Sequence, residues 1–78
     1  MFYYRSAKAS TLAALQHFLK VPAPELTREF GAGASAAEVC ARTVRALRGL
    51  GVQHVYISNL PIQRAQRTLD EILHLSRA

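Results

Sequence analysis

Tryptophan is absent from this 78-residue chain, cysteine and methionine occur once each, and proline three times. A single Cys40 excludes an intrachain disulfide and a cysteine-built metal site, which favours a reducing, cytoplasmic setting. No apolar run approaches the roughly 18 residues that a membrane span needs. The opening Met1-Phe2-Tyr3-Tyr4-Arg5 lacks the charged-then-apolar pattern of a secretory leader. Low-complexity tracts and internal repeats are missing too. What is present is ordinary globular usage, 50% hydrophobic and 19% charged, which argues against disorder.

Length limits what the chain can do. A domain of this size buries only about 60% of the surface that its unfolded form exposes, so its core is thin. The whole of 1–78 reads as a single partial domain. Ten Lys and Arg stand against five Asp and Glu, a net charge of +5. That excess invites a nucleic-acid reading, but the cations are split between two helices, Arg42, Arg45 and Arg48 on one and Arg64, Arg67 and Arg77 on the other. Neither set is interleaved with aromatic residues that could stack on bases. Solvated helix faces are the simpler account.

Helical spacing comes first. Leu12, Leu15, Phe18 and Leu19 make one apolar face from Ser10 to Lys20, with Ser10 as N-cap. Pro22 stops that helix by Val21. Pro24 opens a short helix through residues 25–30, and Gly31 and Gly33 then punctuate the chain. Ser35-Ala36-Ala37-Glu38 fits the S-x-x-E capping box. After it, Val39, Cys40, Thr43, Val44, Ala46, Leu47 and Leu50 read as the apolar side of a helix ending at Gly49 and Gly51. Cys40 there is a small core residue.

The stretch from Val52 to Ser58 has a different texture. Val52, Val55, Tyr56 and Ile57 between turn signals suit a strand buried on both faces, near 53–58. Phe2-Tyr3-Tyr4 reads as a short extended piece. Asn59-Leu60-Pro61 breaks the strand, and Ile62, Ala65, Leu69, Ile72 and Leu73 carry a last helix over 61–75. One clear strand makes no sheet, so the chain reads as a fragment or as one part of an assembly.

Chemistry, if any, belongs at the C-terminal end of that strand. Tyr56 offers a hydroxyl and a stacking face, Ser58 and Asn59 short polar groups, and the helix start beyond them free amides. Arg64 lies close enough in sequence to meet an acidic ligand. No base, nucleophile and orienting acid coincide, so binding fits better than catalysis. His17, His54 and His74 sit in different elements and predict no metal site.

The run EVCARTVRALRGLGVQHVYISNLPIQRAQRTLDEIL resembles the closing portion of methylenetetrahydrofolate reductase catalytic barrels: seventh helix, eighth strand, eighth helix. The family's last strand reads like H-F-Y-T-L-N, matched here by His54, Val55, Tyr56, Ile57, Ser58 and Asn59. The upstream LQHFLKVPAPELTREFGAGASAAEV is similar to the family's helix, proline connector and short helix. The likeness spans about residues 10 to 73. It implies an α/β fold, the C-terminal fragment of a (β/α)8 TIM-type barrel, mostly helical with one clear strand. It further implies a flavin oxidoreductase with FAD and NAD(P)H acting on a folate substrate. In that setting Tyr56, Ser58 and Asn59 would line the folate and nicotinamide side of the pocket. Ser58 departs from the leucine usual there, and Leu60-Pro61 replaces a common arginine. The family's main flavin contacts and its catalytic acid lie on earlier strands, so this chain alone is expected to be inactive. The alternative is a non-catalytic module that binds a second copy or a partner chain. A basic nucleic-acid-binding domain is the weaker one.

Overall fold

The computed structural model describes residues 1–17 and 19–77. Its elements in order are α1 (Ala9–Leu15), α2 (Ala23–Gly31), α3 (Ala36–Gly49), a short 3-10 turn (Ile62–Arg64) and α4 (Ala65–Arg77).

Local chemistry explains most boundaries. Ser35 caps α3: its hydroxyl accepts from the Glu38 amide at 3.1 Å, and the Glu38 carboxylate accepts from the Ser35 amide at 3.1 Å. Those are the two reciprocal bonds of a capping box. The end of α3 is closed by Gly51, at φ +89. There the Gly51 amide donates to Arg48 and that of Val52 to Leu47, the paired bonds of a Schellman stop. Gly33, at φ +94, closes α2 the same way, with Ala34 donating to the Glu29 carbonyl and Gly33 to that of Phe30. The first helix is shorter than its apolar spacing predicts. It starts after Lys8 and ends at Leu15, so Ser10 lies inside it rather than capping it. Of its expected apolar face, Leu12 is buried, Leu19 is exposed, and Phe18 lies outside the described residues.

The expected barrel fragment with a strand near 53–58 is not what the chain forms. Among the described residues the regular structure is helical, and the only pairing of extended chain is one parallel bridge between Phe2 and Ser58. The physical reason lies in partners. A strand buried on both faces needs a neighbour on each edge, and here a few N-terminal residues serve one edge alone. Side-chain burial matches a one-sided segment: Val55 and Ile57 are half-buried while His54, Tyr56 and Ser58 are exposed.

The core has two parts on either side of α3. Tyr3, Ala37, Cys40, Ala41, Val44 and Ile72 form one, with Val55, Ile57, Leu60 and Leu75 packed against it. Leu12, Leu26 and Val39 form the other, joined by Tyr4, Phe30 and Ala34. The buried face of α3 is therefore centred on small residues 37, 40, 41 and 44, which let α4 approach with Ile72 wholly buried. Thr43, Ala46 and Leu50, expected on that face, are exposed. No helix among the described residues is long and apolar enough to cross a membrane.

Candidate functional site

The three residues expected to bind substrate are brought to one place, but two of them are occupied by the chain's own N-terminus. The Ser58 amide donates to the Met1 carbonyl at 2.9 Å, and the Tyr3 amide donates to the Ser58 carbonyl at 2.9 Å. The Met1 ammonium donates to the Tyr56 carbonyl, and the Ser58 hydroxyl to the Met1 carbonyl. In a parallel ladder the next rung would bring an amide from residue 60 to the Tyr3 carbonyl. Instead the Asn59 side-chain Nδ2 donates there, at 3.0 Å. Asn59 can do this because its backbone turns left-handed, φ 70, a region that asparagine tolerates better than other residues with a Cβ. Arg5 then donates to the Asn59 carbonyl at 3.3 Å and to its Oδ1 at 3.5 Å. Ser58 and Asn59 thus work as a clasp.

Tyr56 is different. Its side chain is 86% exposed, and nearby in sequence Ile62 is 92% exposed. The backbone around Tyr56 is half used. Tyr56 and Ser58 turn their carbonyls to the N-terminal segment, so in an extended chain the amides and carbonyls of residues 53, 55 and 57 face the other way. Among the described residues, no hydrogen bond is made by the backbone of Gln53, Val55 or Ile57. Among the described residues the segment has one clasped edge and one edge without a hydrogen-bond partner.

Four of the eight arginines make side-chain contacts within the chain among the described residues, Arg5 and the three of α3. Arg45 donates to the Leu75 carbonyl at 2.7 Å, and Arg48 to the Ser76 hydroxyl at 3.2 Å. Ser76 in turn donates to the Leu73 carbonyl. Two guanidinium groups of α3 therefore sit at the C-terminal end of α4, where the helix carries its partial negative charge. Arg42 pairs with Glu29 at 3.0 Å. The basic face of α3, expected to be solvated, is exposed and also makes tertiary contacts. The sequence hid this because the partners lie in distant elements.

A cavity of about 160 Å³ lies between α3 and α4, lined by Glu38, Ala41, Arg42, Arg45 and Leu75. Ligand pockets usually measure about 300–1,000 Å³, so it does not fit a flavin, a nicotinamide or a folate. Tyr56, Ser58 and Asn59 are not among its walls. Among the described residues no three His, Cys, Asp or Glu side chains gather as a metal site. Burial pushes the Cys40 thiol up to about 11, which leaves little thiolate for nucleophilic work near neutral pH. Burial also raises the Tyr3 hydroxyl, with the neighbouring Cys40 and Glu71 adding to it.

No family model matches the chain, and no curated protein or solved structure matches it either.

Proposed function

We propose that this chain is a non-catalytic assembly module whose working surface is the open backbone edge of residues 53–57. The observation that carries the reading is the pairing asymmetry. Residues 56 and 58 are hydrogen-bonded to the N-terminal segment, whereas Gln53, Val55 and Ile57 have backbone groups with no partner among the described residues. An edge of this kind accepts an extended segment of another chain through main-chain hydrogen bonds, with alternate side chains supplying specificity. The exposed Tyr56 ring beside the edge adds contact area of the kind that anchors interfaces.

The reductase-segment reading, with its FAD, NAD(P)H and folate, rests on the sequence resemblance alone. It puts Tyr56, Ser58 and Asn59 on a pocket wall, and the polar groups of two of them are used in the clasp. A nucleic-acid role is disfavoured by the internal engagement of Arg5, Arg42, Arg45 and Arg48. A cytoplasmic setting goes with the proposal, since the single thiol is buried and unpaired.

Light scattering combined with amide hydrogen exchange tests this. The expected result is a particle larger than 8.6 kDa in which the amides of Gln53, Val55 and Ile57 are protected. A folded monomer at every concentration, with those amides exchanging freely, overturns it.

A further inference from the structure

Both limits of the open edge are fixed. At one end the Val52 amide is tied back to the Leu47 carbonyl at 3.1 Å. At the other the left-handed Asn59 turns the chain away. Between them the backbone groups of Gln53, Val55 and Ile57 make no hydrogen bond among the described residues, and Val55 is the middle one. An edge that presents donors and acceptors symmetrically about one residue is complementary to itself when reversed.

Resting on the assembly reading above, we infer that the partner is a second copy of this chain, paired antiparallel about Val55. A two-fold axis there sets Val55 opposite the partner's Val55, and Gln53 opposite the partner's Ile57. All of these become hydrogen-bonded pairs that exchange both main-chain bonds. The two N-terminal segments become the outer members of a four-segment sheet. Both copies keep α3 and α4 on one face of it, because pairing residues of like parity preserves which side is inside. On the outer face His54 then lies opposite the partner's Tyr56, at a non-hydrogen-bonded position where Cα atoms approach to about 4.5 Å. That pairing accounts for the exposure of Tyr56 at 86% in the single chain. The alternative axis through Tyr56 requires Gln53 to pair with Asn59, whose backbone is left-handed at φ 70 and does not continue the extended segment.

Charge points to the same occupant. Residues 52–58 include no Lys, Arg, Asp, Glu or Pro, the residues with which proteins usually protect an exposed strand edge. The net charge of +5 would oppose self-association if it sat at the contact. Four of the arginines are instead held elsewhere, on Asn59, Glu29, Leu75 and Ser76. A basic or acidic peptide would find no countercharge along the edge, whereas a second copy needs none.

Cysteine substitution reads the register directly. Mild oxidation of the double variant H54C/Y56C is expected to give a disulfide-linked dimer in high yield. The single variants H54C and Y56C are expected to stay uncrosslinked, and the buried Cys40 to take no part. If Y56C crosslinks alone, the axis passes through Tyr56 and this pairing is wrong. If the wild type is a dimer by light scattering but H54C/Y56C does not crosslink, the pairing fails while the assembly reading stands. If the wild type is a folded monomer at every concentration, both fail. A further variant, Tyr56→Lys, alters an exposed side chain rather than the core. It is expected to keep the helical circular dichroism while weakening the dimer at least tenfold, and an unchanged dimer would count against the pairing.

Discussion

The Asn59 side-chain amide donates to the Tyr3 carbonyl at 3.0 Å, across 56 residues of sequence. It replaces the rung that a continuing strand would supply, and so ends the pairing of residues 1–3 with 56–58. The same residue holds φ 70 and receives Arg5. One asparagine therefore joins the N-terminus, the turn before α4 and the core that Tyr3 enters.

Replacing Asn59 tests the clasp. Asn59→Ala loses the bond to Tyr3 and places an unfavourable side chain at a left-handed position. Together these should cost about 1–3 kcal/mol. Asn59→Gly keeps the backbone geometry and loses only the bond, so its stability should fall between those of the wild type and the alanine variant. Chemical denaturation followed by circular dichroism checks the order. An alanine variant as stable as the wild type would show that the clasp contributes nothing.

The arginines of α3 should differ in worth. Arg45 and Arg48 bond to the last turn of α4, where a cation also meets the helix dipole, so each alanine variant should lose about 0.5–2 kcal/mol. Arg42 bridges Glu29 with more than half of its side chain exposed, 55%, and screening should hold its loss to about 0–1 kcal/mol. Urea unfolding in low and high salt separates them. If Arg42→Ala proved the most damaging of the three, the cap on α4 would not be the stabilising contact.

Glu38 predicts an acid limb. Its carboxylate is held below its ordinary value first by the Ser35 backbone amide and then by the Ser35 side chain. A carboxyl whose folded value is depressed adds stability above its ordinary value, and that stability is lost as pH falls through the depressed one. The Glu38→Gln variant, whose amide does not titrate, should show a shallower loss of stability than the wild type on acidification below about pH 4.3. Melting curves from neutral pH to pH 3 make the comparison. Parallel curves for the two proteins would refute the assignment.

The sequence announces what is settled within a few residues. Ser35 with Glu38, Gly33 and Gly51 each mark a helix end through bonds of short range, and each is found where the pattern puts it. The parts that local pattern misplaces all depend on distant partners. The apolar run at 52–57 suggests a strand with neighbours on both sides, but its one neighbour among the described residues is the opening segment, legible as a short extended piece around Phe2 but not as the partner of Ser58. Arg45 and Arg48 are amphipathic-face residues until α4 is docked 30 and 28 residues later. Tyr56, Ser58 and Asn59 are legible as polar groups at the end of an apolar run. That Ser58 and Asn59 serve the N-terminus, leaving Tyr56 beside an open edge, depends on a ladder that no local pattern encodes.

Cys40 offers a probe of the whole core. It is buried with Tyr3, Ala41, Val44 and Ile72, and burial pushes its thiol up to about 11, so native thiolate is scarce at pH 8. A thiol reagent should therefore react only when α3 separates from α4 and from the N-terminal segment. Labelling that proceeds through such opening reports the free energy of that opening, provided that reclosing outpaces reaction. The rate at pH 8 should then be orders of magnitude below that of the denatured chain. It should also rise about tenfold for each 1.4 kcal/mol by which a substitution destabilises the core, on the ordinary relation of free energy to an equilibrium constant. Asn59→Ala, which weakens the anchoring of Tyr3, should accelerate labelling in proportion to its measured loss of stability. Glu29→Ala, which removes only an exposed ion pair, should change the rate little. Native labelling as fast as in denaturant would show that Cys40 is reached without opening the core. Equal rates for Asn59→Ala and wild type, despite a measured loss of stability, would show that the clasp and the α3–α4 contact open independently.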